Sequence, residues 1–411
     1  MAVPYRLLIP IYLAVFALSA YSAAESDSPQ NRKNSCALSS STAKKLRKAQ
    51  KKIEKGIDEE AKNLLHSLLE SSSSCDRAFS QRAFGYLMIG QERFKEAIPH
   101  FERALKADVF GTELRDGLLL DLAQLYIQAG RYKDAVSTLS PQISADSPPL
   151  ASFLLGYALA QLERYKRALP HLKQAVDGAK KPREAWYQNL LAVQYALKRR
   201  GDCLRTLGVL VEIFPKEHYF AQLASLLSEG REHLRAASVL EIAHALGFIG
   251  EEDQIRWLAA LLLEGKAPQR AALLLSEELK NGGLSKSREN LLLTAEAWLQ
   301  AQEVEEALKY FTEARAISED DDISLRIARL HLNAGHWKRA LRALERSKGD
   351  LNPKVRGEFY YLRGLSLLEL NCHREAEGAL KRAIAEADNT RAGKIQRAAE
   401  ELLAYIRNST Q

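Results

Sequence analysis

One arrangement of residues recurs along most of this chain, with successive copies beginning about 33 to 38 residues apart, and it limits the fold more than any other feature. Each copy has a small residue, a bulky one three places on, Ala twelve places after the first, a large apolar residue four beyond that, and usually a small one three later. Gly85, Met88, Ala97, Phe101 and Ala104 form one copy; Ala123, Tyr126, Ala135 and Leu139 the next; Gly156, Leu159, Ala168, Leu172 and Ala175 a third. The pattern returns at Ala224, Ala236, Leu240 and Ala243; at Ala259, Leu262, Ala271 and Leu275; and at Ala295, Trp298, Ala307, Phe311 and Ala314. Two more copies follow at Ala328, Ala340 and Leu344, and at Gly364, Leu367, Ala376, Leu380 and Ala383. Ala49, Gly56, Ala61 and Leu65 give a weaker first copy. Between Trp186 and Pro215 the copy is degenerate: Ala192 and Tyr195 fit, Gly201-Asp202-Cys203 puts the turn out of step, and Thr206 stands where Ala is expected.

These residue types predict pairs of antiparallel helices. Two helices approach closely only where side chains are small, so Gly and Ala mark the crossings and Phe, Leu, Tyr and Trp fill the spaces between neighbouring pairs. Gly56-Ile57-Asp58, Gly130-Arg131-Tyr132 and Gly335-His336-Trp337 read as turns inside pairs, with Gly taking the left-handed conformation that ends a helix. Only 12 Pro and 22 Gly in 411 residues, with no β-branched aromatic runs, agree with helix throughout. A repeat array also explains how so long a chain avoids needing several separate cores.

The N-terminal stretch reads as an export signal over residues 1–24: Arg6, an apolar run from Leu7 to Ala20, and small residues at Ser22-Ala23-Ala24. Pro10 interrupts that run, which falls short of the roughly 20 residues a membrane-spanning helix needs. Cleavage is therefore expected over a permanent anchor, placing the chain in an envelope space or outside the cell, with residues 25–41 as a linker. In an oxidising compartment disulfides become available. Cys36 and Cys75 flank two predicted antiparallel helices and would lie at one end of that hairpin, where a bridge can form; Cys203 and Cys372 fall near the starts of second helices and read as free thiols.

The net charge of +7 is concentrated locally. Lys44, Lys45, Arg47, Lys48, Lys51, Lys52 and Lys55 crowd one predicted helix, and Lys44, Lys48, Lys51 and Lys55 share a face at helical spacing. Contact with an anionic membrane or an acidic partner is one reading and a solvated end face the other. Nucleic acid is disfavoured, because no aromatics are interleaved with these lysines.

No catalytic constellation appears. The chain lacks a phosphate-binding Gly-rich loop, a Gly-x-Ser-x-Gly elbow and a His-Glu-x-x-His pair. His331 and His336 have poor ligand spacing, and the acidic run Glu319-Asp320-Asp321-Asp322 lacks the alternation of a calcium loop and reads as an inter-repeat turn. No enzyme activity, metal or cofactor is expected.

The repeated pattern resembles that of tetratricopeptide repeat proteins over about Thr42 to Arg407. The resemblance implies an all-α, right-handed superhelical solenoid of about ten helical hairpins over 42–389, with residues 390–411 as a C-terminal capping helix and tail. It also implies a groove lined by first helices, at positions one and four or five places after each small residue. Those positions are Tyr86, Ile89, Gln124, Ile127, Gln128, Tyr157, Ala160, Gln161, Glu296, Leu299, Gln300, Arg329, Leu332 and Asn333. The amides and tyrosines among them suit capture of an extended partner backbone.

Three runs, Pro182 to Gln188, Pro215 to Ala224 and Leu292 to Ala301, look like the periplasmic repeat proteins that accompany TonB, ExbB and ExbD in Gram-negative bacteria. That likeness implies a scaffold accessory to TonB-dependent uptake of iron-siderophore complexes, with components of that complex as partners. An adaptor for cell-envelope or cell-wall assembly is the alternative.

Overall fold

The computed structural model describes residues 36, 38–144, 146–318, 321–345, 353–386 and 392–409, so the expected export signal and nearly all of the expected linker lie outside the described residues. Glu319 and Asp320 also lie outside them. The described residues hold helices and no strands. Contacts divide the chain after Phe214 into two compact units, within the span expected to form one solenoid.

Among the described residues the first unit has five hairpins: α1 (Ser40–Glu54) with α2 (Asp58–Leu69), α3 (Ser74–Gly90) with α4 (Phe94–Lys106), α5 (Thr112–Gln128) with α6 (Tyr132–Leu139), α7 (Pro149–Gln161) with α8 (Tyr165–Gly178), and α9 (Glu184–Ala196) with α10 (Arg200–Ile213). The second also contains five: α11 (Glu217–Glu229) with α12 (His233–Ala245), α13 (Glu252–Glu264) with α14 (Pro268–Asn281), α15 (Arg288–Gln300) with α16 (Val304–Ile317), α17 (Asp321–Asn333) with α18 (Trp337–Glu345), and α19 (Pro353–Glu369) with α20 (His373–Ala385). A last helix, α21 (Ala392–Ser409), buries Ala399, Leu403 and Ile406 against α19 and α20 while its other side stays polar, as a cap must.

The small-residue pattern has a direct steric cause. A Cβ built on Gly85 would stand 2.9 Å from the Phe101 ring, and one on Gly156 would stand 2.8 Å from Leu172 Cγ. On Gly364 it would stand 2.7 Å from Leu380 Cγ. Each of these partners is the large residue sixteen places on, so the offset is the contact between the two helices of one hairpin. The Ala twelve places on lies in the same seam: Ala61, Ala97, Ala135, Ala168, Ala236, Ala271, Ala307, Ala340 and Ala376 are all 0% exposed.

The fifth hairpin corrects the sequence reading. Its turn is in step, with Lys198 at φ 55° where the other hairpins also place a left-handed residue; Gly201-Asp202-Cys203 belongs to the first turn of α10. The register is therefore Leu191, Gln194, Cys203, Leu207 and Leu210, one place earlier than Ala192 suggests. Cys203, 1% exposed, takes the invariant Ala place, and burial pushes its thiol up to about 11. Thr206 is buried because its hydroxyl donates to Gln194 Oε1 at 2.9 Å, filling the seam with a satisfied polar pair.

All ten intra-hairpin turns share one conformation. Gly56, Glu92, Gly130, Glu163, Lys198, Arg231, Lys266, Gln302, Gly335 and Asn371 each have φ between 55° and 74°. Each lies seven places after the small residue of its hairpin in the corrected register. Glycine occupies only three of these places, which is why the sequence advertises only three of the turns.

Candidate functional site

The first-helix faces differ between the two units. In the first unit, Tyr86 lies on α3, Gln124 and Gln128 on α5, and Tyr157 and Gln161 on α7. Gln124 and Gln128 are half-buried, one helical turn apart, and make no hydrogen bond among the described residues. Gln161 holds the same register place on the next first helix. It lies beside the Tyr157 hydroxyl, yet its Nε2 is shut off from solvent without a hydrogen bond of good geometry. Gln124 and Gln128 therefore keep donors and acceptors unused in a half-buried setting, where a further hydrogen bond gains strength.

The aromatic positions are tied down. Tyr86 donates to Asp121 Oδ2 on α5 at 2.6 Å, and the Arg82 guanidinium lies over its ring with 5.1 Å to the centroid. Burial and then the Asp121 charge hold the Tyr86 phenol well above its ordinary range. Arg82 is buried, and its Nε has no partner. Tyr157 is only 5% exposed: Phe153 and Tyr132 pack around it at 6.1 and 6.3 Å, and burial pushes its phenol up to about 12. It supports the face from behind. Ile89, Ile127, Ala160 and Leu332 are likewise buried, which leaves Gln124 and Gln128 as the half-buried amides of the first unit without a hydrogen bond among the described residues.

In the second unit the charged candidates are consumed by the repeat itself. Glu296 on α15 pairs with Arg326 on α17, and Arg329 on α17 pairs with Glu358 on α19, its Nε standing 2.6 Å from Oε1. Farther back along the same unit, Gln254 on α13 donates to Glu217 on α11 at 2.6 Å, and Asn290 on α15 donates to Glu252 on α13 at 3.0 Å. The hydrogen bond from Asn290 and those from Ser285 hold the Glu252 carboxyl below its ordinary range. These links run from one first helix to the next and hold adjacent hairpins in register. Gln300 and Asn333 remain exposed and without a hydrogen bond among the described residues. Glu296 and Arg329 lie on first helices, and their partners, which the sequence did not point to, stand 30 and 29 residues downstream, close to one repeat away.

A disulfide joins Cys36 to Cys75 at the start of α3, with 6.0 Å between their Cα atoms. The Cys36 N–H also donates to the Val109 carbonyl at 3.3 Å, so the segment before α1 is pinned across the ends of two hairpins. Cys203 is a buried free thiol and Cys372 a half-buried one. Among the described residues no group of three or more His, Cys, Asp or Glu is placed to hold a metal ion, and no helix is long and apolar enough to cross a membrane.

The three runs that carry the closer sequence likeness all fall on first helices, and their aromatic residues are mostly packing. Trp186 stacks on Phe153 at 4.9 Å, Trp298 donates its ring N–H to Ser276 at 2.9 Å, and Tyr219 and Phe220 are buried.

Comparison with known proteins bears on the repeat. Residues 90–175 match the family model described as Anaphase-promoting complex, cyclosome, subunit 3, and residues 325–391 match the one described as Tetratricopeptide repeat. Among similar solved structures, a tetratricopeptide repeat protein from Parabacteroides merdae ATCC 43184 is 15% identical over 72% of this chain and 100% of that one, with a TM-score of 0.35. MamA protein is 15% identical over 41% of this chain and 91% of that one, with a TM-score of 0.33. The Cut9–Hcn1 hetero-tetramer of the APC/C is 11% identical over 90% and 78%, with a TM-score of 0.28. At these scores the neighbours carry no functional inference. A search of curated proteins gives no match. Two matched stretches, one in each unit, together with ten hairpins sharing one seam and one turn, support a tetratricopeptide repeat protein.

Proposed function

We propose that this chain is a non-catalytic periplasmic adaptor that holds an extended segment of another protein against the first-helix face of its first unit, as an accessory of TonB-dependent transport. The observation that carries the binding reading is the row of amides at Gln124, Gln128 and Gln161, of which Gln124 and Gln128 make no side-chain hydrogen bond among the described residues. An extended backbone presents alternating carbonyls and N–H groups, and amide side chains can meet both. In the second unit, by contrast, Glu296 and Arg329 are bound to Arg326 and Glu358 and have little to offer a ligand.

The periplasmic part rests on the apolar segment from Leu7 to Ala20 and on the Cys36–Cys75 bridge, which suits an oxidising compartment. The TonB part rests on the likeness of the three sequence runs. The test is a photo-crosslinker placed at Gln128 in intact cells, followed by identification of what it attaches to. Attachment of a component of the TonB complex, abolished by Gln124→Ala with Gln161→Ala and kept by Arg329→Ala, is the expected result. Normal growth of a deletion strain on scarce iron, with no such component captured, would remove the transport role. Capture indifferent to the amide substitutions would remove the binding face.

A further inference from the structure

The first helix carries a surface that the adaptor reading does not use. Helix α1 buries Thr42, Leu46 and Ala49 against its own unit. Lys44, Lys48, Lys51 and Lys55 lie on the opposite side, and all four are exposed. At helical rise they form a row about 16 Å long. Lys45 and Arg47 flank it, also exposed. Three acids at the start of α2 are engaged: Glu60 pairs with Lys52 at 2.7 Å, Glu59 pairs with Lys62 at 2.7 Å, and Asp58 accepts from Gln91 at 2.6 Å.

We propose that this row docks the protein on an anionic phospholipid surface. Three properties select a bilayer over an acidic peptide. The row stands on the side of α1 opposite to buried Thr42, Leu46 and Ala49, as an exposed ridge of charge. Its cations are lysines, flexible point charges that match a diffuse sheet of headgroups, whereas recognition of individual carboxylates favours the planar fork of arginine. The charges lie along one line, so all four can reach a flat surface together. The Cys36–Cys75 bridge and the Cys36 bond to Val109 fix the segment leading into α1, so the row is presented from a rigid base. This inference stands independently of the amide face, which lies on other helices.

The experiment is co-sedimentation of the full chain with vesicles of phosphatidylcholine alone and of phosphatidylcholine containing phosphatidylglycerol. Binding is expected only to the anionic vesicles and should vanish in high salt, where such charges are screened. Replacing Lys44, Lys48, Lys51 and Lys55 together with Gln, which keeps helix propensity, should weaken vesicle binding by roughly a hundredfold or more. The single changes Lys44→Gln and Lys51→Gln should each weaken it roughly fivefold, which keeps the test decisive if the quadruple variant misfolds. The same four positions changed to Arg should retain binding, and Lys166→Gln with Lys173→Gln should leave it unchanged. Equal binding to neutral vesicles, or full binding by the Gln variants, overturns the proposal. So does binding to polyglutamate, with the same lysine dependence, by a chain that ignores both vesicles.

Discussion

Tyr86 and Asp121 face each other across the seam between the second and third hairpins, with the phenol hydrogen donated to Asp121 Oδ2 at 2.6 Å. Burial raises the Asp121 carboxyl above its ordinary range, while the hydrogen bond from Tyr86 and then the Arg82 charge oppose that shift. The three side chains form one unit: a buried cation, its counter-charge, and a hydroxyl that fixes the counter-charge in place. Asp121→Ala removes an opposite charge near the buried Arg82 and leaves Tyr86 without its acceptor, so urea unfolding should show a loss of about 2–4 kcal/mol. Asp121→Leu combined with Arg82→Met should lose less than Asp121→Ala alone, because the stranded charge is gone. A single variant as stable as the parent would show that the cluster is not coupled.

The close approach inside the hairpins predicts a graded response to one added methyl group. At Gly156 the new Cβ meets Leu172 Cγ at 2.8 Å and the Leu172 backbone nitrogen at 3.0 Å, and backbone cannot turn aside. Gly156→Ala should therefore destabilise by about 1–3 kcal/mol. At Gly85 the obstacle is only the Phe101 ring, and the eighth hairpin already sets Ala295 opposite Phe311. Gly85→Ala should cost distinctly less. Equal thermal shifts for the two variants would mean that the glycines are not there to admit the second helix.

These two cases also show what the sequence could disclose. The offsets of twelve and sixteen places were legible because they encode a contact within one hairpin, where chain connectivity fixes the geometry. The fifth hairpin misled because Ala192 and Gly201 look like the expected small residues, while the seam is built from Leu191 and Cys203 one place away from the first of them. Gln124 and Gln128 could be placed on the first-helix face from spacing alone. That Tyr157 is enclosed by Phe153 and Tyr132 depends on packing that spacing does not reveal. Opposite charges about thirty residues apart, as in Glu296 with Arg326, were the available signal for the cross-repeat ion pairs.

Three histidines make stability depend on mildly acid pH. Burial, then Arg103, lowers the affinity of His100 for a proton; burial and Arg167 do so for His171, and burial with Arg339 and His336 does so for His331. Each is neutral in the fold and binds its proton more readily once unfolded. The stability they contribute is present above the unfolded value near 6.5 and is lost as pH falls through their lower folded values. The urea midpoint should therefore fall as pH drops below about 6.5, and His100→Gln with His171→Gln should flatten that slope. An unchanged slope in the double variant would rule these two out as its source.

The Cys36–Cys75 bridge closes a loop that contains the whole first hairpin, its ends 39 positions apart in sequence. On the chain-entropy view such a loop is worth about 4 kcal/mol. Cys36→Ser with Cys75→Ser should raise hydrogen exchange in α1 and α2 first, because the loop that the bridge closes contains those two helices. Exchange that rises equally in every helix of the first unit would mean that the bridge guards global rather than end-hairpin stability.

The uniform turn gives the sharpest test of the repeat. A Cβ at Gly130 would meet nothing within 4 Å, so a substitution there probes the backbone alone. Its φ of 74° is a region that β-branched residues avoid. Gly130→Val should cost about 1–2 kcal/mol. Gly117 serves as the control: it is exposed in the interior of α5 with equally open surroundings and an ordinary helical conformation. Gly117→Val should be neutral or stabilising by a few tenths of a kcal/mol, about what helix propensity allows. Lys198→Gly approaches the same point from the other side, because relief of the left-handed strain at φ 55° is partly offset by the greater freedom of glycine in the unfolded chain. The net gain should be about 0.5 kcal/mol. If Val is tolerated at both glycine positions alike, the shared φ is incidental to the hairpins; if only Gly130 resists it, the left-handed residue between the helices is what turns each pair back on itself.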